Sequence, residues 1–372
     1  MNPRIPIAQP SFLGNEKRYV TDALESGWIS SIGSYIDRFE KEFAAFHGVK
    51  HAVATHNGTI ALHLALAATG IGPGDEVIVP DLTFIATSNS VRYCNATPVL
   101  TDVNPEDWNI SPEMIRKAIT PRTKAVIPVH LYGNPAHMAE IMKIAREYSL
   151  LVIEDCAEAP GAFTDGKMVG TFGHISCFSF FGNKIITTGE GGMCLTDDDR
   201  LAGNMRILRD HGMNRNKKYW YDQLGFNYRM TNMQAAVGLA QLEQLENLLA
   251  ERDEILAIYK EKLSANDGFI FQETNANRNV NWMVTLRLKG FSFETREKVR
   301  QHLDARGIDS RPVFYPIHLM PFYQETMFHP ASLVNSLAIA REGISLPTFI
   351  GLKEHQIGYI VSTLIEACEN YR

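Results

Sequence analysis

Cysteine is scarce in this 372-residue chain. The five present, Cys94, Cys156, Cys177, Cys194 and Cys368, are odd in number and lack CxxC spacing. A disulfide framework or zinc cluster is therefore not expected, and the cysteines read as small apolar core residues. His47 and His51 have metal-ligand spacing, but Gly48 between them argues against a shared helix face, so no metal is expected. Positive charge is also short, with 36 Lys and Arg against 42 Asp and Glu and a net charge of −6. Binding a nucleic acid needs a basic stripe, so that partner is not expected. No apolar run approaches the roughly 18 residues of a membrane span. The start, MNPRIPIAQPSF, puts prolines where an export signal needs an apolar core. No membrane partner is expected, and the protein should be cytoplasmic. Internal repeats, low-complexity tracts, flexible linkers and a GxxxxGK[ST] phosphate loop are missing too.

What is present fits about two domains. From about residue 50 to 200, short β-branched runs (DEVIVP, ATPVLTDV, KAVIPVHLYG, LLVIEDCAEA) alternate with helical patterns such as NGTIALHLALAATG and AEIMKIAREYS. That alternation predicts an α/β fold, a mostly parallel sheet with helices on both faces and functional groups beyond the strand carboxyl ends. Residues 234–263 read as one long helix joining two domains. After it, NVNWMVTLRLKG and IDSRPVFYP read as strands, and TREKVRQHLDARG and KEHQIGYIVSTLIEACENY as helices, giving a smaller α+β unit. The expected division is 1–250 and 251–372.

Three stretches carry chemistry. In HNGT, Gly58 and Thr59 lie where a strand turns into a helix, so the free N–H groups can take a phosphate; the plainer alternative is that Asn57 or Thr59 caps the helix. In VIEDCAEA, Asp155 ends a central strand, where a carboxylate needs a cationic partner unless it only caps a loop. Glu158 poses the same question. In FSFFGNKIITTGEGG, Lys184 stands between aromatic residues and a glycine-rich turn. A lysine is costly to bury as a cation, so either it escapes to solvent or the fold uses a desolvated, nucleophilic amine. Together, a phosphate cradle, an acid for a ring nitrogen and a reactive amine are the parts that pyridoxal 5′-phosphate (PLP) chemistry requires.

With these motifs in order, the chain resembles the DegT/DnrJ/EryC1/StrS sugar aminotransferases. The match runs through GWISSIGSYIDRFEKEFA, HNGTIALHLAL, GPGDEVIVPDLTFIAT, VHLYGN, VIEDCAEA, FSFFGNKIITTGEGG, GFNYRMTNMQAAVGLAQLE and SRPVFYPIHLMP. The resemblance implies the aspartate-aminotransferase fold (fold type I), with a large PLP-binding domain and a small C-terminal domain. It implies that Lys184 bonds to PLP through its amine and later moves a proton. Asp155 would hold the pyridinium nitrogen, and Phe84 would stack on the ring. Gly58, Thr59, Ser179 and Asn183 would hold the cofactor, with Asn227 reaching it from a partner subunit. A homodimer with shared sites, or a tetramer built from it, follows. Glu158 stands where the wider family often has glutamine, which can donate a hydrogen bond that an ionised glutamate cannot. Either it is protonated, or it serves another group.

The implied reaction takes an amino group from L-glutamate, releases 2-oxoglutarate and aminates a nucleotide-linked 4-keto-6-deoxy sugar. The motifs WISS, FSFFGNKIITTGEGG, YW and RPVFYPIH favour GDP-4-keto-6-deoxy-D-mannose; UDP- or dTDP-linked keto-sugars and keto-sugar acids are the alternatives. Substrate contacts are expected from Trp28, Ser30 and Ser31, from the basic-aromatic loop Lys217, Lys218, Tyr219 and Trp220, and from Arg311, Tyr315 and His318. A solvated turn is the other reading of that loop. Related sugar dehydratases carry histidine at the lysine position, so Lys184 weighs against them. A non-catalytic regulator would have no use for Lys184 with Asp155.

Overall fold

A computed structural model describes residues 4–214, 216–274, 278–323 and 333–372. Its large sheet orders His51–Thr55, Gly192–Thr196, Ile175–Ser179, Leu151–Asp155, Thr123–Val126, Glu76–Pro80 and Thr97–Thr101 side by side. The run from Ile175–Ser179 to Thr97–Thr101 is parallel, and the two remaining pairings are antiparallel. All five residues of Glu76–Pro80 are buried. Val77 and Val79 pack with Leu62 and Leu66 of helix Gly58–Thr69, while Ile78 between them joins Met138 and Ile141 of helix Met138–Tyr148. This period-2 alternation between two apolar layers explains why the strand sequence is continuously hydrophobic: helices cover both faces, as expected.

Three expectations change, two of them in the large unit. The glycine-rich turn after Lys184 leads directly into a further strand, Gly192–Thr196, which pairs antiparallel with Ile175–Ser179 on one side and His51–Thr55 on the other. Residues 234–263 form two helices rather than one, Asn232–Leu242 and Leu245–Leu263. Thr231 caps the first through a reciprocal box with Gln234. At the break, the Glu243 carboxylate accepts hydrogen bonds from the Tyr19 hydroxyl (2.7 Å) and the Asn15 amide (2.6 Å). Those partners come from the N-terminal segment, so propensity alone does not reveal them.

The second helix still connects two cores: Leu245, Leu248 and Leu249 pack in the large-sheet layer, and Ile255, Tyr259 and Leu263 in another. That other core lies on an antiparallel sheet ordered Phe269–Phe271, Val284–Leu288, Gly343–Leu346, Arg311–Pro312. Helices Phe293–Ala305 and Glu354–Tyr371 pack with it. Ile5 joins the same core and bridges to Ile308. The strand expected across IDSRPVFYP is only two residues long, because Pro312 has no N–H with which to extend a ladder.

Candidate active site

Asp155 and Ser179 end neighbouring parallel strands, so they emerge on the same edge of the sheet. Helix Gly58–Thr69 begins beside them. Its cap is Asn57, whose side chain accepts from the Ile60 N–H at 2.9 Å. The capping alternative is thus correct for Asn57, and it leaves the Gly58 and Thr59 N–H groups with no hydrogen-bond partner among the described residues. A Cβ at Gly58 would stand 2.6 Å from the Ser179 Cβ, closer than real contacts allow. Gly192 is similarly required, since its Cβ would lie 2.5 Å from the Asn57 carbonyl oxygen. These two glycines let helix start, lysine loop and strand end converge. Gly58→Ala is expected to push the helix start off Ser179, a strain of about 1–3 kcal/mol. PLP affinity should fall by roughly tenfold or more, read by spectrophotometric titration, with the fold retained.

Asp155 is buried. Its carboxylate accepts from the Thr87 hydroxyl (2.8 Å) and the Ala157 N–H (3.1 Å). Burial pushes its pKa up, opposed by those two donors and by the charges of Lys184 and His130. Burial likewise raises the Glu158 pKa. Lys184 and the Tyr132 N–H, which donates to Glu158 Oε2 at 2.7 Å, oppose the rise, while Asp155 adds to it. Lys184 has a side chain only 12 % exposed and reaches Glu158 Oε1 at 3.4 Å. Burial lowers its pKa against the opposing pull of Glu158 and Asp155, and the Arg311 charge pushes the same way as burial. The amine thus takes the less costly option open to a desolvated lysine, a shift toward its neutral form.

These groups line one cavity of about 350 Å³, of the order of ligand pockets generally. Gly58, Thr59, Phe84, Asp155, Glu158, Ser179, Asn183, Lys184 and Arg311, all expected from the sequence, line it together. The other expected residues lie elsewhere in the chain. Trp28 and Ser30 lend carbonyl oxygens to Asn232, and the Asn227 side-chain oxygen accepts from Arg229 Nε. Lys217 sits 3.6 Å from the centroid of the Trp220 ring, with Tyr219 exposed beside it. The Tyr315 hydroxyl accepts from Arg296, and His318 Nδ1 lies 2.7 Å from Asp81. Ser31, like these, is not among the residues that line the cavity.

Trp282, Phe314 and Thr87 were not foreseen. Trp282 and Phe314 line the cavity from the segment after the long helices, and Thr87 fixes Asp155. No spacing links them to Lys184; Trp282 and Phe314 carry only the signal of aromatic residues flanking short strands, which core residues share, and Thr87 carries none. His130, Glu154 and Cys156 also cluster beneath the site. However, the Glu154 carboxylate is occupied by the N–H groups of Gly170, Phe172 and Gly173 and by His130, whose Nδ1 in turn accepts from the Ala136 N–H. Protein groups satisfy the acid and the imidazole, so the cluster reads as structural.

The cavity suits PLP on its own chemistry. One end offers unpartnered helix-start N–H groups with Thr59 and Ser179 beside them. The other offers a buried acid, and a desolvated amine stands between. The buried Asn183 Oδ1 also lacks a hydrogen-bond partner.

Comparison with known proteins agrees. The description "DegT/DnrJ/EryC1/StrS aminotransferase family" matches residues 11–365. The chain is similar to the GDP-perosamine synthase of Caulobacter vibrioides, at 51% identity over 97% of this chain and 98% of that protein. A GDP-perosamine synthase of Escherichia coli O157:H7 is 46% identical over the same shares. Among solved structures, Spr1654 from Streptococcus pneumoniae in its PLP form superposes with a TM-score of 0.94 at 26% identity, covering 99% of this chain and 100% of that one. The chain therefore belongs to the DegT/DnrJ/EryC1/StrS aminotransferase family and is a PLP-dependent enzyme of the aspartate-aminotransferase fold.

Proposed function

We propose that this sugar aminotransferase moves the amino group of L-glutamate to C4 of GDP-4-keto-6-deoxy-D-mannose. The products are 2-oxoglutarate and GDP-perosamine, a precursor of surface polysaccharide such as O-antigen. The observation that carries the reading is the nearly full-length 51% identity to a protein named GDP-perosamine synthase.

PLP supplies an electron sink when bound. Lys184 would hold the cofactor through its amine and would carry the proton that transamination moves. Asp155 would balance a positive ring nitrogen. The Gly58 and Thr59 amides, with the Thr59 and Ser179 hydroxyls, would take the phosphate, and Phe84 would pack against the ring. Asn183 adds a polar contact, and Glu158 faces the amine. Arg311 provides a cation for an anionic part of a substrate.

The site is completed by a second copy. Asn227 lies away from its own cavity, Phe84 is 54 % exposed there, and Trp28, Ile29, Ile32, Tyr219, Trp220 and Leu224 form further exposed apolar surface. Trp28, Ser30, Ser31, Lys217, Tyr219 and Trp220 act from such an interface, and Tyr315 and His318 border the acceptor path. The division 1–250 and 251–372 places the amine and acid in the large unit and Arg311 in the small one. The enzyme works in the cytoplasm; none of the described helices is long and apolar enough to cross a membrane.

The test is single-turnover transfer. The enzyme is aminated with glutamate, freed of donor, and mixed with GDP-, UDP- and dTDP-linked 4-keto-6-deoxy sugars. The GDP-linked mannose derivative should react fastest. No reaction with it, alongside turnover of a UDP-linked sugar, would overturn the substrate assignment and leave the aminotransferase chemistry standing.

A further inference from the structure

Trp282 is buried, and its indole face lies over Lys184, with Nζ 3.7 Å from the ring centroid. Both the ring and its backbone are tied down. Its Nε1–H donates to the Asn183 carbonyl at 2.8 Å, one residue before the lysine. Its own carbonyl accepts from the buried Arg252 at 2.8 Å, and its N–H donates to the Tyr132 carbonyl at 3.3 Å. Tyr132 and Phe314 run nearly parallel to it, with centroids 5.9 and 6.5 Å away and interplanar angles of 14° and 21°. Such a clamp leaves the indole little freedom to swing off the amine.

The charged and titratable groups facing Lys184 are Glu158, Asp155 and Arg311. Both acids favour the ammonium, Glu158 from 3.4 Å, although burial raises their own pKa values, and Arg311 opposes it. Beside those charges, the electron-rich ring face is a stabiliser of the ammonium that does not itself depend on pH, and a desolvated site is where a cation–π contact is strongest.

We infer that Trp282 is a positioning residue that sets the proton affinity and resting place of the free Lys184 amine. This rests on the reading of Lys184 as the reacting amine. The indole face favours the ammonium, so the lysine holds a transferred proton long enough to return it, and the Nε1–H tie to Asn183 keeps Nζ in register. Filling space would need only bulk; this role needs the ring's negative face.

The test uses the full chain stripped of PLP. Lys184 is reductively methylated with formaldehyde and a borane across a pH series, and the modified peptide is quantified by mass spectrometry. The midpoint of labelling reports the amine's proton affinity without any turnover. Cation–π energies convert to roughly half to one and a half pH units. Trp282→Leu should therefore lower the midpoint by about one unit, and Trp282→Phe, which keeps a ring face, should shift it less. Should the leucine variant fail to fold, a ring-fluorinated tryptophan placed at 282 keeps shape and hydrogen bond while weakening the face, and it should lower the midpoint with increasing fluorination. In the holoenzyme, the pH limb of kcat should move in the same direction with KM for glutamate little changed. A midpoint unmoved by fluorination would overturn the proposal and leave Lys184 as the amine. Absence of any pH-dependent label on Lys184 would overturn that assignment and the proposal with it.

Discussion

Lys184→Ala is expected to lower kcat/KM for the glutamate half-reaction by about a thousandfold or more, since it removes both the anchoring amine and a general acid–base worth about 10²–10⁴-fold. The spectral change on adding glutamate measures it directly. Stability should change little, because the side chain lines a cavity and its loss also removes a desolvated amine. The Glu158 carboxyl keeps its hydrogen bond from the Tyr132 N–H. A small primary amine added to the variant should restore part of the rate, because proton transfer needs an amine near the site more than it needs a tether. The pH dependence follows from the lowered Lys184 pKa. An amine is nucleophilic only when unprotonated, so capture of PLP by the stripped enzyme should rise with pH through a value below that of an ordinary lysine. Parent-level turnover of glutamate by the alanine variant would remove Lys184 from the mechanism.

Asp155→Asn is expected to weaken PLP binding by about ten- to a hundredfold, the range of a charge-assisted hydrogen bond of about 1.5–3 kcal/mol. Spectrophotometric titration across pH is the measurement. The carboxyl is raised by burial, so it protonates at a higher pH than an ordinary aspartate, and it can balance a ring cation only when ionised. In the parent enzyme, affinity should therefore fall as pH is lowered through that raised value, before ordinary carboxylates titrate. The asparagine variant should lack this acid limb, having no charge to lose. The amide nitrogen also cannot accept a bond as an acid oxygen does, so the Thr87 and Ala157 donors compete for one side-chain oxygen. Equal affinity and an unchanged acid limb would show that the acid near the ring nitrogen is not Asp155.

The parts of the site that were legible in the sequence are those written into one short stretch each. Asn57, Gly58 and Thr59 announce a helix start, Asp155 ends a β-branched run, and Lys184 stands among residues that ordinarily exclude it. Local chemistry makes each conspicuous. The long helix differs for the opposite reason: residues 234–263 are good helix formers throughout, and the break falls where Asn15 and Tyr19 from the N-terminal segment bond to Glu243. Strand Gly192–Thr196 hid behind glycines that read as a turn. Gly192 is small because the Asn57 carbonyl lies against it, a contact between segments far apart in the chain.

By itself, then, the sequence determined the layered α/β class and singled out Lys184, Asp155 and the Asn57–Thr59 helix start as the candidates for an amine, an acid and a phosphate cradle. Each depends on propensity, period or the cost of burying a particular group. Only the tertiary structure decided what surrounds them. It brought Thr87 to Asp155 and the Tyr132 N–H to Glu158, laid Trp282 over Lys184, and left Arg311 and Phe314 on the cavity wall while Tyr315 and His318 turned to Arg296 and Asp81. The physical reason is that a pKa shift or a cation–π contact depends on distances across the fold, which residue order specifies only through the packing of the whole chain.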